Sequence, residues 1–225
     1  MDGVRDKRGI VALNFDGPVG PRLEEIVLEL GRHEVPGVFY VPAQMLLEHL
    51  ADWRDLHLSG HEIGNGALMG FAEPDGSLPR WTLQAVREDV ADEARLLREL
   101  FPSSGASFGV PGPSHVCNMG EDDYLPAVLA SHGSVRTCES GVNPWPADPA
   151  RLRSVRAEDA DVCIEIAAAA SDRGDWAIFR FAEFGGRQAE VLRRLLRWLA
   201  ENSGAARVVT VAQGTAALDQ AATKR

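Results

Sequence analysis

Short apolar runs alternate with longer amphipathic ones along this chain, and that alternation restricts its fold more than any other feature of the sequence. Residues 10–15, 37–41, 107–110, 162–166, 176–181 and 208–211 are rich in β-branched or aromatic side chains and read as buried strands. Between them, 82–101 sets Leu83, Val86, Val90, Ala94, Leu97 and Phe101 at three- and four-residue spacings, with Asp and Glu on the other face. The stretch 187–200 repeats the pattern with Val191, Leu195 and Leu199. Each predicts a helix with one face packed on a sheet. Shorter helices are expected at 21–33, 44–58 and 122–131. Strand then helix, repeated, gives a mostly parallel α/β sheet or barrel. In such folds the loops leaving the carboxyl ends of the strands build the site. Pro- and Gly-rich punctuation at 17–21, 109–113 and 143–149 directs attention to those loops.

With 225 residues, no internal repeat and no long linker, the chain is expected to form a single domain. Lys and Arg total 23 against 33 Asp and Glu, which disfavours a grip on nucleic acid or on an anionic membrane surface. Neutral or cationic small molecules fit that balance better. No run approaches the roughly 20 apolar residues of a membrane span. The charged start, residues 1–9, lacks a secretory pattern, so a cytoplasmic location is expected. Cys117, Cys138 and Cys163 are widely spaced, with no CxxC pair, which argues against both a disulfide framework and a thiolate zinc site. A homo-oligomer is left open.

The segments LNFDGP (13–18), VPGVFYVPA (35–43), SGHEIGN (59–65), FGVPG (108–112), WAIFRFAEFG (176–185) and VVTVA (208–212) follow one another in an order that resembles the NodB-homology polysaccharide deacetylases. GHEIGN is the most specific of them, and together they span about residues 10–212. The resemblance implies a distorted (β/α) barrel with an incomplete strand ring, in which a metal activates water to remove acetyl groups from amino sugars. It also implies where that chemistry has been lost. The family's first motif carries two adjacent acids, and here Asp16 stands alone. Its two metal-binding imidazoles, four residues apart, correspond to Gly66 and Gly70. Its Arg-x-Pro motif, whose arginine orients the base, corresponds to Gly109-Val110-Pro111. Its late histidine, the leaving-group acid, corresponds to Ala182, beside Glu183. A catalytic zinc typically takes about three protein ligands and one open position, so neither a metal nor another cofactor is expected.

Asp16, Glu183 and His115 are then the candidate acid–base groups, with Asn14, Asn65 and Trp145 as candidate contacts to a small-molecule ligand. Each has a structural alternative. Asp16 could cap the Gly17 turn, Asn65 could cap the next loop, His115 could be a loop histidine and Trp145 could cover the core. His61 and Glu62 read as structural hydrogen-bonding groups, and Cys117 as inert. Three functional classes follow. The first is a metal-independent enzyme acting on a small polar molecule, by C–N hydrolysis of a cyclic amide or by cyclisation or isomerisation. Leu13–Asp16 of this chain resembles the first motif of the metal-independent allantoinases and cyclic-imide hydrolases. The second is a pseudoenzyme that binds a ligand or a protein. The third is a deacetylase with a metal site rebuilt from Asp16, His61 and His115. A catalytic cleft should gather Asp16 with His115 or Glu183.

Overall fold

The computed structural model describes residues 8–17, 20–102 and 107–223; Pro18 of the first motif lies outside them. In chain order the elements are β1 (Gly9–Asp16), α1 (Pro21–Arg32), β2 (Val38–Val41), α2 (Ala43–Glu48), α3 (Leu50–Leu58), β3 (Glu62–Asn65), α4 (Leu83–Leu100), β4 (Ser107–Gly109), β5 (Val116–Cys117) and β6 (Asp122–Asp123). They continue with α5 (Leu125–Leu129), β7 (Ser134–Arg136), β8 (Val155–Arg156), α6 (Ala160–Arg173), β9 (Trp176–Phe181), α7 (Gly186–Glu201), β10 (Ala206–Val208) and α8 (Val211–Thr223). The helices at 82–101 and 187–200 form as the periodicity predicts. Thr82 caps α4 by accepting from the Ala85 N–H at 3.2 Å, satisfying one of the donors a helix start leaves free.

Eight strands make one parallel sheet in the order β7-β4-β3-β2-β1-β9-β8, with β10 paired to the first half of β1. The sheet curls into a distorted (β/α) barrel. Its ends meet through residues 152–156, because Leu152 bridges Arg136 of β7 while β8 pairs with β9. Period-two alternation along β1 sorts its side chains. Val11, Leu13 and Phe15 pack outward under the helices. Ile10 and Ala12 turn into the lumen with Val38, Leu152, Trp176 and Ile178, so Asn14 and Asp16 lie on that same inner face. Helix α8 crosses the amino ends of the strands, where Val211 and Leu218 join the lumen cluster. Its Ala212 N–H donates to the buried Glu62 carboxylate at 2.7 Å.

Four sequence expectations need correction. Residues 162–166 belong to α6, because Asp159 accepts from the Asp161 and Val162 N–H groups and starts a helix there. The last strand ends at Val208, and Val211 already begins α8. The segment 44–58 is broken at His49 into α2 and α3. In 122–131, a two-residue antiparallel strand precedes a helix of five residues.

Candidate functional site

The carboxyl ends of the strands frame a cleft of about 290 Å³. Asp16, the last residue of β1, forms part of its wall, with Met45, Met69, Gly70, Pro111 and Glu183 around it. The chain can turn sharply after Asp16 because Gly17 adopts φ 57°, a left-handed conformation that costs a residue without Cβ little. A larger groove of about 630 Å³ lies between α1 and α3 on the outer helix layer, away from these strand ends.

Asp16 is paired with two arginines. Arg136 of β7, wholly buried, donates from Nη2 to Asp16 Oδ1 and from Nη1 to the Val110 carbonyl at 2.9 Å. Its guanidinium lies 4.8 Å from the centre of the Tyr40 ring, a cation–π geometry. Burial opposes the Arg136 charge, but the Asp16 carboxylate, with Cys138 and Tyr40, more than offsets it, and the arginine pKa stands above its ordinary value. Arg180 of β9 reaches Asp16 Oδ2 more loosely, from Nη1 at 3.5 Å. Asn14 lies one inward position below Asp16, in register with Arg180; it is fully buried, and neither polar atom of its amide group meets a partner among the described residues. Tyr40, also inward and fully buried, has its pKa raised, first by burial and then by Glu62.

The candidates divide between this cleft and other parts of the fold. Asp16 and Glu183 share it, Glu183 from an exposed rim position with its carboxylate 3.8 Å from Arg156. His115 lies elsewhere, its ring against Tyr124 with centroids 6.0 Å apart and its pKa lowered by burial. Asn65 turns away to α4, where Nδ2 donates to the Val90 carbonyl at 3.0 Å and Oδ1 accepts from the Ala67 N–H at 2.9 Å. Trp145 sits at the opposite end of the barrel, its backbone N–H donating to the Asp175 carboxylate, just before β9, at 3.2 Å. His61 accepts the Gly37 N–H on Nδ1 at 3.0 Å, and Glu62 takes donors from Ser107 and Ala212. Both are structural partners at the amino end of β3. Sequence reading missed Arg136 and Arg180. The available signal was Arg180 itself, a charge between Phe179 and Phe181 in a buried strand. Arg136 stands in a three-residue strand with no periodicity to reveal it.

The residues present do not fit a divalent ion. Among the described residues no group of three or more His, Cys, Asp or Glu side chains is arranged to hold one, and Asp16, His61 and His115 do not converge. Position 66 is closed to any side chain: a Cβ there would stand 2.7 Å from the Val41 nitrogen and 2.8 Å from the Tyr40 carbonyl carbon. Gly70, by contrast, faces open space. At position 109 a Cβ would lie 2.8 Å from Arg136 Nη2. The guanidinium from β7 therefore occupies the space in which a β4 side chain would begin.

No family model matches the sequence, and no curated protein matches it either. Solved structures do match. A T48 deacetylase with substrate aligns with TM-score 0.61 and 15% identity, over 96% of this chain and 95% of that one. A family 4 acetyl xylan esterase from Clostridium thermocellum, in complex with a cobalt ion, aligns with TM-score 0.58 and 18% identity, over 92% and 91%. A CE4 family pseudoenzyme from Bacillus anthracis aligns with TM-score 0.57 and 13% identity, over 91% of this chain and 65% of that one. The barrel of this chain is the fold these proteins share.

Proposed function

We propose that this chain is a divergent member of the NodB-homology superfamily that has given up metal-dependent deacetylation and uses the barrel cleft to bind a small polar molecule. The observation that carries the reading is position 66, where the β2 backbone fills the volume a metal-binding imidazole would need. The Arg136–Asp16 pair agrees with it, since the carboxylate left at the end of β1 now neutralises a buried guanidinium. The fold accommodates such a state, as the pseudoenzyme among its structural neighbours illustrates. The test is incubation of the full chain with N-acetylated chito-oligosaccharides and added zinc or cobalt. No acetate release is expected, and no metal-dependent rise in melting temperature of the kind tight binding produces. Metal-dependent acetate release would overturn the reading.

A second reading, metal-independent turnover, is favoured by one observation: Asp16 and Glu183 line the same cleft. The oxygens of Asp16 face guanidinium donors, so Glu183 is the open proton-handling group. Ring opening of a panel of cyclic amides and imides tests it. Where turnover is found, Glu183→Gln should lower kcat by on the order of 10²–10⁴ with stability unchanged.

A further inference from the structure

We propose that the groove between α1 and α3 is a docking site for a basic amphipathic helix of a partner protein. The inference goes beyond the cleft reading and does not rest on it.

Helical spacing builds the groove. Its lining falls at 20, 23, 24, 27 and 28 on the α1 side and mainly at 49, 52, 53, 56 and 59 on the α3 side. Each side therefore gives one stripe at three- and four-residue intervals. The floor is apolar: Leu23, Trp53 and Leu56 are buried and Val27 is half-buried, while Leu28 is 55% exposed. Leu28 precedes the core residue Leu30 by two positions. At about 100° per residue it stands roughly opposite the face that α1 buries, so closing the core cannot cover it. An exposed leucine alone is ordinary; this one borders a concave apolar floor of about 630 Å³.

The rim is acidic. Glu24, Asp52 and Asp55 line the groove and are exposed, and among the described residues no Lys or Arg lines it. His49 is there, 3.9 Å from Asp52. Arg22 and Arg54 are exposed on the same two helices, outside the lining, and Arg193 of α7 meets Glu25 of α1 at 3.6 Å. An apolar floor between carboxylates complements an apolar stripe flanked by Lys or Arg, the pattern of an amphipathic helix laid in a groove. The net charge of −10 steers a cationic partner toward the chain. The lining runs from 20 to 28 and from 49 to 59, about 12 and 15 Å at the helical rise. That length suits two to three turns of helix and exceeds one sugar-sized ligand. A second copy docked symmetrically on this face would set Glu24, Asp52 and Asp55 against their own counterparts. An anionic membrane surface would be repelled by the same three acids.

The test is fluorescence anisotropy of the full chain with labelled helical peptides of about three turns. One series carries Leu, Phe or Trp at positions i, i+4 and i+7 with Lys on both flanks. A second replaces each Lys by Glu, and a third replaces each apolar anchor by Ala. At least one Lys peptide should bind saturably, with its Glu and Ala versions weaker by about tenfold or more and its affinity falling with added salt. Leu28→Lys should weaken that peptide by a similar factor without lowering the melting temperature. Asp52→Lys combined with Asp55→Lys should reverse the preference toward the Glu peptide, and this reversal decides the matter if Leu28→Lys does not fold. No binding by any Lys peptide overturns the proposal. Equal binding of the Ala version overturns it as unspecific charge attraction, and binding untouched by both sets of substitutions overturns it by placing the peptide elsewhere. Self-association in sedimentation that Leu28→Lys abolishes, with no peptide bound, would assign the groove to a second copy and overturn the partner.

Discussion

Asp16 ends β1 with its carboxylate oxygens facing Arg136 and Arg180. Removing one partner of a buried pair leaves the other charge uncompensated, at a cost of about 3–5 kcal/mol. Asp16→Asn should therefore lower stability by about that amount in denaturant unfolding, and wild-type stability in the variant would show that the pair contributes little. Position 66 yields a second expectation. A histidine there must displace the Val41 and Tyr40 backbone, and overpacking of this kind typically costs about 1–3 kcal/mol. Gly66→His should melt below the wild type and gain no stabilisation from zinc. The sequence made Asp16 and Gly66 visible because they fall in short motifs. It hid Arg136, whose importance comes from β7 lying beside β4 and not from any local pattern.

At the level of elements, the amphipathic helices were legible because their periodicity is long, and the strands β7 and β8 were not because three and two residues hold no period. Segment 162–166 misled because β-branched residues there outweighed two local signals, Asp159 as a helix cap and Gly174 as a left-handed stop at φ 68°. Helix α4 carries a further consequence. Its Glu93 is buried and reaches across to accept the Ala43 N–H at 3.0 Å, tying α4 to the start of α2. Burial, with help from Asp89, raises the Glu93 pKa from 4.5 to about 8. A carboxyl with a raised folded pKa binds its proton more tightly when folded, so its contribution to stability declines as pH rises from about 4.5 and is fully lost above about 8. Glu93→Gln keeps an acceptor for Ala43 and removes the titration. The variant should melt several degrees above the wild type at pH 8–9, with the gap closing toward pH 5; a gap independent of pH would show that Glu93 does not titrate in this range.

For the whole molecule, the barrel depends on two unequal closures. Among the described residues, one side of the ring is joined by short stretches, residues 152–156 and the bridge from Asn143 to Trp176. The amino end is covered by α8, which is anchored through Ala212 on Glu62 and packs closely enough that a Cβ on Gly214 would stand 2.5 Å from the Trp176 indole. Gly214→Ala should accordingly destabilise the protein by about 1–3 kcal/mol, read from its unfolding midpoint. With that end stoppered, the cleft is a blind alley. Whatever enters at the strand carboxyl ends must back out by the same door, so two occupants can never queue through the barrel. Every cleft ligand should therefore compete with every other one for the same vacancy, and release of the resident molecule should set the pace at which a newcomer binds.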